Sequence, residues 1–147
     1  MRTLAIDYGE RRIGLALSDA GGRLASPLVV LTGGPGEQVQ RQISRVIEEE
    51  AVERLVVGLP LNMDGTTGPS ARAAAEWARR LARQVNLPLF FVDERLSSFE
   101  AEQQLRDRKR EGEKLTRKRR KEQMDALAAA QFLQAFLDGK LPPIDAP

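Results

Sequence analysis

Asp125 is out of keeping with its surroundings. The run Met124–Phe132 reads as helix, and at about 3.6 residues per turn Asp125 shares a face with Ala129, Phe132 and Phe136. That is the most apolar stripe of the helix, the one expected to pack on the rest of the fold. A carboxylate there is costly unless it is protonated, hydrogen-bonded or bound to a cation. Two more acids end apolar runs: Asp7 closes Leu4-Ala5-Ile6, and Glu94 follows Phe90-Phe91-Val92-Asp93. Acids of this kind, far apart in sequence, point to one shared cation site.

Clustered carboxylates suit phosphodiester hydrolysis with two cations, one activating water and the other stabilising the leaving oxygen. Each acid also has a plainer explanation. Asp7 before Gly9 could shape a turn, Glu94 could pair with Arg95 at the surface, and Asp125 could lie half-exposed beside Lys121. Asp19 and Asp64 read as loop residues. Asp93 and Glu94 are adjacent, so only one of them faces the site, and periodicity does not say which.

Absent residue types narrow the chemistry further. The chain has no cysteine and no histidine, which excludes thiol and imidazole catalysis and the common thiolate or imidazole metal sites. Oxygen ligands remain, and they favour Mg²⁺ or Mn²⁺. The 147 residues are 41% hydrophobic and 30% charged, as expected of one soluble domain. No apolar run is long enough to span a bilayer, and Met1-Arg2-Thr3 leads straight into a strand, so a cytoplasmic location is expected.

The net charge of +2 hides an asymmetry. Residues 106–121 hold ten bases against three acids, so the remainder of the chain is acidic. A concentrated basic segment on an acidic body suggests a polyanionic partner. No aromatic lies within it, which favours recognition of backbone shape over base stacking. Gly112 and the mixed charge suggest a flap that orders on the polyanion. Lys118 and Lys121 fall near Asp125 on the same helix face and, with Arg119 and Arg120, are candidates for phosphate contact. So are Arg11 and Arg12, just after Asp7, and Arg95, just after Glu94. The loop 60–68, with its glycines and hydroxyls, could also meet phosphate. Trp77 reads as a core or interface anchor.

The elements that must position these side chains follow from pattern. Strands are expected at 3–8 and 13–19, forming a hairpin, and at 28–31. A helix at 37–51 precedes a buried strand at 54–59, a helix at 69–85 and a strand at 88–92. Ser97 and Glu100 suggest a capping box for a short helix to about 106, and a last helix runs from about 119 to 138. The order β-β-β-α-β-α-β-α-α predicts an α/β domain over 1–147: a mixed five-stranded sheet with helices on both faces.

Four segments carry a resemblance: Leu4-Ala5-Ile6-Asp7-Tyr8-Gly9-Glu10-Arg11-Arg12-Ile13-Gly14-Leu15-Ala16, Val57-Gly58-Leu59-Pro60-Leu61-Asn62-Met63-Asp64-Gly65, Val92-Asp93-Glu94-Arg95-Leu96-Ser97 and Met124-Asp125-Ala126-Leu127-Ala128-Ala129. Together, in this order, they resemble the YqgF/RuvX family, which is similar in fold to ribonuclease H and the RuvC Holliday-junction resolvases. The resemblance implies a Mg²⁺- or Mn²⁺-dependent nuclease. Members are described as Holliday-junction resolvases and as nucleases processing the 5′ end of precursor 16S ribosomal RNA. It also implies Asp7, Glu94 and Asp125 as catalytic metal ligands, which favours Glu94 over Asp93. Ser97-Ser98 departs from the family, where a threonine is common.

Other classes compete. A phosphotransferase of the actin/sugar-kinase type shares the Asp-x-Gly of Asp7-Tyr8-Gly9 but needs two such domains, and a non-catalytic nucleic-acid-binding module would not need all three acids. Monomer and homodimer both remain open.

Overall fold

The computed structural model describes residues 1–95 and 117–146, and the side chains of all of these except 117–123. The expected short helix at 97–106 and the basic residues up to 116 lie outside the described residues. A hairpin of β1 (Thr3–Asp7) and β2 (Arg12–Ser18) is extended by β3 (Ala25–Thr32). Then come α1 (Glu37–Glu49), β4 (Arg54–Leu59), α2 (Pro69–Val85), β5 (Leu89–Asp93) and α3 (Arg117–Leu137). The five strands form one sheet in the order β3-β2-β1-β4-β5. β1 is central, antiparallel to β2 and parallel to β4, and β5 runs parallel to β4.

Alternation along each strand divides the core in two. Leu4, Ile6, Leu55 and Val57 face α1 and α2, which contribute Val39, Ile43, Ala78 and Leu81 among others. Ala5, Ala16, Val56 and Val92 face α3, meeting Ala129, Ala130, Phe132 and Leu133. Small side chains on this second face let α3 come close to the strands. Phe132, fully buried, fixes its position, and burying a side chain of that size is worth about 2–3 kcal/mol. Gln134 adds polar ties, accepting from the Ala25 amide at 2.9 Å and donating to the Arg23 carbonyl at 2.9 Å.

The helix ends follow their sequence signals. α2 begins with Pro69 after Gly68 and ends at Asn86, which adopts a left-handed conformation with φ of 54°. β3 starts three residues before its expected position. Pro27 is accommodated at an irregularity in the pairing with β2, on an edge strand where its missing N–H leaves no gap in the ladder. On the opposite edge, Ile144 donates its amide to the Phe91 carbonyl at 2.8 Å, and Arg79 donates to the Ala146 carbonyl at 3.1 Å. The C-terminal tail therefore lies along β5.

Candidate active site

Asp7, last residue of β1, follows Ala5 onto the α3 face of the sheet. Its partners on both flanking strands are glycines: Gly14 on β2 and Gly58 on β4. A Cβ on Gly58 would sit 2.8 Å from Phe132 Cε2 and 2.9 Å from both Cβ and Oε2 of Glu94. A Cβ on Gly14 would strike the backbone carbonyl of Asp125. Two missing side chains thus make the hollow in which strand-end acids and helix acid come together. Neither glycine stood out from the sequence. The available signal was that each interrupts a strand, which is costly without a close neighbour to accommodate.

Register decides between Asp93 and Glu94. Asp93 pairs with Leu59, whose side chain belongs to the α1–α2 core, while Glu94 turns over Gly58 toward Phe132. Asp93 is taken by Arg95, which donates through Nε at 2.9 and 3.0 Å and through a terminal nitrogen at 2.6 Å. This pairing holds the Asp93 carboxyl below its usual range.

Asp7 and Glu94 behave as one unit. Burial pushes Asp7 up to about 6, although a hydrogen bond from Glu94 opposes the shift and the nearby charge of Asp125 adds to it. Burial pushes Glu94 up to about 11, with the charges of Asp7 and Asp125 contributing. Physically, the pair keeps one proton in neutral water, carried by Glu94 and shared with Asp7. Glu94 Oε2 is buried with no hydrogen-bond partner. Asp125 completes the group from α3, where its carboxylate accepts a 2.8 Å bond from Arg12 Nε. Among the described residues no three acids form a ready-made metal cage. The donor set nevertheless fits a hard divalent cation: every donor is a carboxylate oxygen, one is buried without a partner, and a cation would replace the shared proton.

The structure brings Asp7, Glu94 and Asp125 into electrostatic contact. It puts Arg12 on Asp125, and it turns Arg95 onto Asp93 and the carbonyls of Asn62 and Met63, at 3.0 and 3.2 Å. Arg95 thereby pins the loop 60–68, which is closed internally by Asp64 accepting from the amide and hydroxyl of Thr66. Arg11 is exposed. Lys118, Arg119, Arg120 and Lys121 lie in the first turns of α3, their side chains outside the described set. Trp77 is a core residue, its ring 5.2 Å from that of Tyr8. A cavity of about 190 Å³ is lined by Tyr8, Glu10, Pro60, Ser70 and Ala73, and none of Asp7, Glu94 and Asp125 lines it.

A five-stranded mixed sheet in the order β3-β2-β1-β4-β5, flanked by helices, is the ribonuclease-H-like architecture of the RuvC type. The fold aligns with Thermus thermophilus RuvC, solved in complex with a Holliday junction substrate, at a TM-score of 0.58 and 17% identity over 98% of this chain and 99% of that one. The RuvX family, described as Holliday junction resolvase, matches residues 1–139, and the chain belongs to it. Relatives named "Putative pre-16S rRNA nuclease" are 44% identical in Chloroflexus aggregans over 140 residues, 95% of each chain. In Anaeromyxobacter dehalogenans strain 2CP-C the identity is 46% over 143 residues, 97% of this chain and 100% of the relative.

Proposed function

We propose that this chain is one nuclease domain that hydrolyses phosphodiester bonds in structured nucleic acid with divalent cations, Mg²⁺ or Mn²⁺, and that its substrate is the 5′ end of precursor 16S ribosomal RNA in the cytoplasm. The observation that carries this reading is the meeting of Asp7 and Glu94, two largely buried carboxyls brought together over Gly58, beside a third acid on α3. Such an arrangement destabilises the fold on its own and gains its value when cations take the proton's place. Family membership and the names of the relatives support the nuclease class and the RNA substrate.

Asp7, Glu94 and Asp125 would hold the cations. Bound there as a pair, these ions would supply an activated water and charge stabilisation for the leaving oxygen. The chain's own contribution is placement. Gly14 and Gly58 keep the hollow clear, and Phe132 closes it on the core side. Glu94 must release its proton to serve. Arg11, which is exposed, and the bases Lys118, Arg119, Arg120 and Lys121 would meet the phosphate backbone, a contact that would make binding depend on salt.

A second reading, cleavage of four-way DNA junctions, is favoured by the family description and the RuvC-type fold. The test is cleavage by the purified protein of precursor-16S RNA, single-stranded DNA and four-way junctions in Mg²⁺ or Mn²⁺, beside Asp7→Asn and Asp125→Asn. RNA cleavage reduced roughly a hundredfold or more in both variants is expected. Preference for the junction would select the second reading. Mn²⁺-supported cleavage unchanged in Asp7→Asn would overturn both.

A further inference from the structure

Arg12 opens β2, and alternation puts it with Gly14 and Ala16 on the α3 face. Its Nε donates to Asp125 Oδ2 at 2.8 Å, with side chains only 31% and 27% exposed. The contrast with Arg41–Glu37, exposed to 77% and 90%, is plain: that pair is solvated surface, whereas Arg12 brings its charge onto a partly buried acid that itself lies in electrostatic contact with Asp7 and Glu94. A simple brace between sheet and helix is not what α3 lacks. Phe132, Ala129 and Leu133 already pack it down, and Gln134 ties it to the chain around β3. Asp125 carries a negative charge at the end of an apolar face, and Arg12 sets a positive charge directly against it.

We propose that Arg12 is a placeholder counter-ion for Asp125: it holds the carboxylate in position in the cation-free protein and yields it when a divalent cation binds. This rests on reading the acid cluster as the cation site. Arg12 is then a positioning residue. Its guanidinium, once released, stands at the mouth of the site beside Arg11, where a backbone phosphate is the matching acceptor. The guanidinium and the cation compete for one carboxylate, so removing Arg12 should tighten cation binding even as it loosens the grip on nucleic acid.

The test is calorimetric titration of Mn²⁺ into the full chain at about 0.15 M salt without nucleic acid, where long-range charge effects are screened beyond about 8 Å. Arg12→Gln is expected to bind about tenfold tighter than the parent, the competition expected from a half-buried ion pair. Arg12→Lys, a weaker single-point competitor, should fall between, about threefold tighter. Arg11→Gln removes the same charge from an exposed neighbour and should change affinity less than about twofold. The graded order parent, Lys, Gln supports the proposal. Unchanged or weaker binding in Arg12→Gln overturns it, as does an equal gain in Arg11→Gln. If Arg12→Gln does not fold, as judged by circular dichroism, Arg12→Lys decides alone, and parent-like affinity overturns the proposal. Asp7→Asn in the same titration separates the two levels: Mn²⁺ binding indifferent to Asp7 defeats the cation-site reading itself, whereas binding lost in Asp7→Asn but indifferent to Arg12 defeats only the placeholder.

Discussion

Replacing Asp7 with asparagine should make the cation-free protein more stable while removing its activity. The Asp7 carboxyl moves from an ordinary 3.8 up to about 6 on folding, chiefly through burial. A carboxyl whose folded value is raised favours the fold when protonated. That contribution is fully present below about pH 4 and is lost as pH rises through about 6. Above that, the parent carries the cost of a buried carboxylate that asparagine does not. At about 1.4 kcal/mol per unit the ceiling is about 3 kcal/mol. Partial exposure of Asp7 and relaxation around it reduce this to about 1–2 kcal/mol, or about 3–6 °C in Tm for a chain of this length. Glu94 gains as well, because a like charge beside it disappears. The assay is thermal unfolding in chelator from pH 4 to 8. The two proteins should melt together at pH 4, separate between pH 4 and 6, and stay apart above. Adding Mn²⁺ should then raise the parent and leave Asp7→Asn nearly unmoved. An asparagine variant no more stable than the parent at pH 7.5 in chelator would refute the argument that these carboxyls strain the fold.

Other perturbations test the remaining geometry. Gly14→Ala forces a methyl into the Asp125 backbone and should destabilise by about 1–3 kcal/mol in denaturant unfolding, with cleavage falling further than stability because α3 carries an acid. Gly58→Ala meets Phe132 and the Glu94 carboxyl, and its loss should appear in Mn²⁺ affinity as well as in Tm. Neutralising Lys118, Arg119, Arg120 and Lys121 together should weaken nucleic-acid binding and flatten its dependence on log salt by up to about four contacts' worth; equal slopes for variant and parent would count against a phosphate role. Arg95→Ala frees the carbonyls of Asn62 and Met63 and should raise proteolytic sensitivity of the loop 60–68 with little change in global Tm.

The described strands and helices were legible because their apolar residues recur at strand and helix spacing against two cores, and the place of Asp125 because a charge on an apolar stripe breaks that pattern visibly. The Asp93/Glu94 choice was not legible from periodicity. It depends on which residue of β5 lies opposite Leu59, a fact about register between chain segments some thirty residues apart. Gly14 and Gly58 were passed over because a missing Cβ has meaning only once the neighbouring backbone is in place. Arg12 was grouped with Arg11 as a phosphate ligand. The two differ only in where β2 begins: Arg12 opens the strand and reaches Asp125, while Arg11 lies in the turn before it and is exposed. β3 begins three residues before its expected start, because an outer strand tolerates Pro27 at a bulge.

The tail that lies along β5 has a consequence for assembly. Among the described residues, β3 is left as the open margin of the sheet, while Ile144 occupies the other. A sheet covered at one margin where Ile144 meets Phe91 favours a single meeting, β3 against β3, over open-ended growth. Trimming the last few residues would remove that stop and turn a self-limiting surface into one able to grow.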